Sequence, residues 1–174
     1  MHIDEFNALD PAAAAALVRV WADVPRWTDA VVAGRPYPDA DALAAAADGL
    51  AAQWSDDEVA AALHQHPRIG ERRTGASAED AASRREQASA TTADERTAVA
   101  LRDGNAAYEA RFDRVFLIRA AGRSADEVLA ELARRTANDP DAEAAEVAGA
   151  LREIAALRLA DTVPPFDAAR GGTR

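Results

Sequence analysis

An imidazole, a hydroxyl, a carboxylate and a primary amide fall close together in the stretch His66-Pro67-Arg68-Ile69-Gly70-Glu71-Arg72 and, shortly after it, Ser83-Arg84-Arg85-Glu86-Gln87. Imidazole titrates near neutrality and can move a proton at ordinary pH. Ser83, Glu86 and Gln87 stand at i, i+3 and i+4, which puts all three on one face if the segment is helical. A carboxylate, a hydroxyl and an amide supply both donors and acceptors, the combination that a small urea-like group requires.

The flanking elements would hold these groups in place. Ser55 and Glu58 form a capping box that opens a helix over residues 55 to 65, with Val59 and Leu63 on its apolar stripe. Pro67 ends that helix by disfavouring the α conformation at His66, so the imidazole stands at a stiff helix exit. Gly70 and Gly75 bracket a charged loop, and Ser77 with Glu79 and Asp80 reads as the start of the helix that carries Ser83, Glu86 and Gln87.

A second cationic candidate lies near the other end of the chain. Arg158 follows Val147, Leu151 and Ile154 in helical register, so its guanidinium points where the apolar stripe points. Two readings stand side by side: an arginine snorkelling from the end of the stripe, or one entering a pocket to fork onto a carboxylate or imide oxygen. Plainer readings exist for the others as well. His66 could be an idle histidine satisfied by local carbonyls, and Glu86 a solvated acid balanced by Arg84 and Arg85. His64 and His66 form an H-x-H pair, but residues two apart point different ways on a helix, and His2 is the only other histidine. A zinc site normally needs three or four protein ligands, so no metal is expected.

Composition narrows the chemistry further. The formal charge is −10, and all 20 basic residues are arginine. Such an acidic chain is repelled by phosphate backbones and anionic lipid surfaces, so neither nucleic acid nor membrane is an expected partner. The absence of lysine removes Schiff-base catalysis, and the absence of cysteine removes thiol nucleophiles, disulfides and thiolate metal sites. The amino-terminal MHIDEFNALD is acidic where a secretory signal would be basic, and no apolar run approaches a membrane span. The carboxyl end is not a peroxisomal signal, which leaves the cytoplasm as the expected location.

A length of 174 residues fits a single domain able to bury about two-thirds of its unfolded surface. Aromatic residues make up only 5% against 49% hydrophobic, and alanine supplies much of the difference. That favours an all-α, single-domain multi-helix bundle with small side chains at the helix contacts. Asp10-Pro11 opens a helix to about Val24, Trp27 to Ala33 forms a short helix ended by Gly34, and Arg35-Pro36-Tyr37-Pro38 is extended. Asp39 or Asp41 starts a helix to Trp54. A longer one runs from about Asp94 to Arg114 with a soft spot at Gly104, where glycine costs about 1 kcal/mol relative to alanine. Val115 to Ile118 reads as a buried extended segment. Ser124 and Glu127 cap a helix to about Thr136, and Asp139-Pro140 starts the last one. The helical domain is expected over residues 1–163, with a disordered polar tail over 164–174.

These segments together resemble the 2-oxo-4-hydroxy-4-carboxy-5-ureidoimidazoline decarboxylase family, whose members make (S)-allantoin in urate breakdown. The resemblance runs from about Phe6 to Val163: Trp27 and Arg35-Pro36-Tyr37, the His66-Pro67 turn, Ser83-x-x-Glu86-Gln87, Asn105 to Tyr108, Arg111-Phe112 through Ile118, Gly122 to Ser124, Arg134 with Asn138, and Glu153 to Leu159. Tyr37 stands where phenylalanine is usual. The resemblance implies cofactor-free decarboxylation, with His66 and Glu86 catalytic and Pro67, Ser83, Gln87, Ile118 and Arg158 binding a small ureide, a main-chain group at Ile118 facing it. It also implies a homodimer. Two other readings of the residues stay open, a non-catalytic helical ureide-binding module and a metal-dependent cyclic ureide hydrolase.

Overall fold

The computed structural model describes residues 1–63 and 95–165. Within them the chain is all-α, as expected, with eight helices and no strand among the described residues: α1 (Ile3–Ala8), α2 (Pro11–Trp21), α3 (Pro25–Ala33), α4 (Ala40–Ala51), α5 (Asp56–Leu63), α6 (Glu95–Phe112), α7 (Ala125–Thr136) and α8 (Pro140–Thr162). The expected tail lies, beyond Pro165, outside the described residues. Contacts divide the chain into two compact units. One takes Met1–Trp54 and the chain from Ile154 onward, and the other takes Ser55–Glu153, so α8 contributes to both.

Local chemistry sets most of the boundaries. Asp10 accepts from the N–H groups of Ala12 and Ala13 and opens α2 with Pro11 at its first position. The Ser55–Glu58 and Ser124–Glu127 capping boxes are both made, and Asp139 accepts from Asp141 and Ala142 at the start of α8. The α2 helix stops at Trp21 rather than Val24, because Val24, the residue before Pro25, is extended and becomes the cap of α3. The short α1 is an addition to the sequence reading. His2 caps it, with Glu5 reaching back to the His2 N–H at 2.7 Å.

In the first unit, Phe6, Val18, Trp21, Val24, Val31 and Leu43 are fully buried. The Trp27 indole donates to the Ala47 carbonyl at 2.9 Å. The Arg35–Pro36 bond is cis. Around it, Asn7 clamps Tyr37, donating to its carbonyl at 2.8 Å and accepting its N–H at 2.9 Å. Arg35 donates to the carbonyls of Phe6 and Leu9. The Tyr37 hydroxyl is used within this unit, donating to the Val31 carbonyl at 2.8 Å.

In the second unit, Leu101, Tyr108, Phe112, Phe116, Ile118, Val128 and Leu132 form one apolar cluster. Gly104 is more than a soft spot here. A Cβ on it would lie 2.7 Å from Cδ2 of Leu132, so the glycine lets α6 approach α7 closely.

Candidate active site

His66, Pro67, Ser83, Glu86 and Gln87 lie outside the described residues; the capped helix α5, which leads into that stretch, is described up to Leu63. Two candidates remain to be placed, Ile118 in the second unit and Arg158 in the first.

Arg158 does not snorkel. It is 6% exposed and donates from a terminal guanidinium nitrogen to the Val20 carbonyl at 3.0 Å. The stripe formed by Val147, Leu151 and Ile154 is buried as well, so the register argument holds along α8. A guanidinium carries five N–H donors, and the Val20 carbonyl meets one of them.

Ile118 lies where an apolar run becomes a fixed extended segment. The chain leaves α6 through Asp113, whose positive φ of 52° turns it sharply. It then runs extended through Phe116, Leu117 and Ile118, all buried, and turns again at Gly122 with φ 80°. The Ile118 side chain packs in the apolar cluster. Its peptide link to Leu117 is held from behind by Arg135, which donates to the Leu117 carbonyl at 2.6 Å and lies 5.0 Å from the Phe116 ring centroid. Among the described residues none accepts the Ile118 N–H.

Arg135 belongs to a buried polar cluster that the sequence reading did not identify. The side chains of Arg135 and Glu143 are 2% and 1% exposed, and they pair through both Nε and a terminal nitrogen of the guanidinium. Glu143 also accepts from the Tyr108 hydroxyl and, at 2.8 Å, from Asn138. Burial, together with the hydrogen bond to Glu143 and its charge, pushes the Tyr108 phenol well above its ordinary range, so it remains a donor. Outside this cluster Arg134 bridges Glu131 and Glu146, and its hydrogen bonds hold both carboxyls below their usual pKa, with Asn138 adding to the effect at Glu146.

The sequence did carry a signal for the buried pair. Arg135 continues the Val128–Leu132 stripe of α7, and Glu143 precedes Val147 on the stripe of α8. Both charges occupy apolar register positions, as Arg158 does. Neighbouring Arg134, named by the resemblance, is the exposed member of the two arginines. Among the described residues no group of three or more His, Asp or Glu side chains is arranged to hold a metal ion.

The family model described as OHCU decarboxylase matches residues 7–160. A search among curated proteins gave no match. Two solved structures share the fold. One, of an OHCU decarboxylase in the presence of (S)-allantoin, is 23% identical with a TM-score of 0.71, covering 83% of this chain and 94% of that one. The other, of an (S)-allantoin synthase, is 16% identical with a TM-score of 0.70 over 94% of this chain, which spans about half (54%) of that longer protein.

Proposed function

Since the chain belongs to the OHCU decarboxylase family, we propose that it converts 2-oxo-4-hydroxy-4-carboxy-5-ureidoimidazoline to (S)-allantoin without a cofactor. The observation that carries this reading is the family match over residues 7–160, a span that contains every candidate from His66 to Arg158.

The chemistry is feasible with side chains alone. The substrate carboxylate sits on a hydroxyl-bearing ring carbon beside a C=N bond. When the C–C bond to the carboxylate breaks and CO2 leaves, the electron pair passes into that imine, and the ring nitrogen is protonated. The resulting enol returns a keto group at the first carbon once a proton is delivered to its neighbour. An external electron sink is therefore unnecessary, and the protein must bind, orient and place protons.

In this reading His66 handles the proton at the substrate hydroxyl or the enol, and delivery to one face sets the S configuration. Pro67 fixes the imidazole, Glu86 and Gln87 grip the ureido arm, and Ser83 adds a hydrogen bond. Arg158 supplies positive charge toward a ring oxygen or the carboxylate, and the Ile118 N–H donates to the ligand. The burial of Arg158 supports its assignment, because a guanidinium shielded from water binds an anion more strongly. The same reading includes a cytoplasmic homodimer, and no helix among the described residues is long and apolar enough to cross a membrane.

The test is to add the protein to freshly generated urate oxidation products and follow circular dichroism. Optically active (S)-allantoin should form faster than the spontaneous racemic background, and equally fast with a chelator present. Ligand binding without turnover would favour the binding module, and loss of activity on chelation would favour the hydrolase.

A further inference from the structure

We propose that Arg135 is a positioning residue for this reaction, and that it acts by fixing the Leu117–Ile118 peptide plane. The proposal rests on the reading above, in which the Ile118 N–H meets the ligand.

The Leu117–Ile118 peptide is trans, so the Leu117 carbonyl and the Ile118 N–H point in opposite directions from one rigid plane. Arg135 holds that carbonyl at 2.6 Å from inside the second unit. The N–H must then point away from Arg135, and none of the described residues accepts it. Between Asp113 and Gly122, both at positive φ, the segment belongs to no helix or strand whose hydrogen bonds would fix this plane. Arg135 cannot rotate with it. Its other nitrogens are tied to Glu143, which is in turn held by Tyr108 and Asn138. The guanidinium is thus a rigid strut from α8 to the back of the peptide, and the donor is preorganised before the ligand arrives.

A donor that meets substrate and transition state alike changes KM rather than kcat when it is misaligned. A residue with a merely structural role would do the reverse, lowering the active fraction and thus apparent kcat while KM stayed put. The test uses Arg135→Met combined with Glu143→Gln, which removes both charges and leaves an acceptor for Tyr108, alongside Arg135→Lys. A lysine has no planar fork to hold Glu143 and the Leu117 carbonyl at once.

For the folded double variant KM should rise about tenfold, the loss of one oriented hydrogen bond, with kcat within about twofold of the parent. Arg135→Lys should fall between the two. Parental KM in both overturns the proposal, as does a fall in kcat alone. The amide resonance of Ile118 in the unaltered protein gives a second test that does not depend on variants folding. It should shift on adding (S)-allantoin, and an unmoved resonance also overturns the proposal. If the unaltered protein makes no (S)-allantoin from fresh substrate, the functional reading fails first and separately.

Discussion

Replacing Arg135 by methionine should be among the most destabilising single changes in the second unit, and the structure sets the size of the effect. The substitution leaves the Glu143 carboxylate with a 1% exposed side chain and without its cation, and removes the donor from the Leu117 carbonyl. Stripping one partner from a buried ion pair costs about 3–5 kcal/mol, because the remaining charge can be neither solvated nor paired. Against a typical total stability of about 5–15 kcal/mol this is a large fraction. For a chain of this length it corresponds to a fall in Tm of roughly 6–20 °C. Adding Glu143→Gln removes the orphaned charge while keeping one acceptor oxygen, which Tyr108 can use, and should restore at least about 2 kcal/mol. Urea unfolding followed by far-ultraviolet circular dichroism gives both numbers. Should the single variant fall within about 1 kcal/mol of the parent, or the second substitution restore nothing, the buried pair does not carry the charge balance argued for it.

Other consequences are smaller but as direct. Gly104→Ala gains about 1 kcal/mol of helix propensity but drives a methyl to 2.7 Å from Leu132, where overpacking costs about 1–3 kcal/mol, so thermal unfolding should show a net loss rather than a gain. Ser124→Ala should cost about 1 kcal/mol through the lost cap of α7, and the Glu127 carboxyl, held low by its hydrogen bonds with Ser124, should titrate higher by NMR. Glu131 and Glu146 have folded pKa values below the ordinary glutamate value of 4.5, so the stability they add is present above that value and lost as pH falls through their lowered values. Arg134→Gln should therefore flatten this part of the acid limb of a stability-versus-pH curve and lower stability at pH 7 by the same small amount, because the Arg134 network is largely exposed.

What the sequence made legible was local. The Ser55, Ser124, Asp10 and Asp139 starts depend on residues within one turn of each other, and all four are present. The run Val115 to Ile118 could be read as buried and extended because no partner strand was in sight. The Arg135–Glu143–Tyr108 cluster was harder to see, since Tyr108 and Glu143 are 35 positions apart and meet only once three helices have packed. In a chain with 20 arginines and 30 acids, one buried pair looks like the rest until its register with Leu132 and Val147 is noticed. The packing role of Gly104 was hidden for a related reason: propensity describes a helix by itself, and the contact with Leu132 belongs to two. The burial of Arg158 was legible because its neighbours on α8 announce a buried stripe. The orientation of the Ile118 peptide was not, because it is imposed by Arg135, 17 residues further along the chain.

In the proposed reaction one imidazole, His66, performs the proton transfer. That role is tested most directly by His66→Asn, assayed by circular dichroism on freshly generated substrate beside the unaltered protein. The variant should keep the parental helical spectrum and unfolding transition, while (S)-allantoin formation falls to the spontaneous, racemic rate. Stereospecific turnover close to that of the parent would contradict the account.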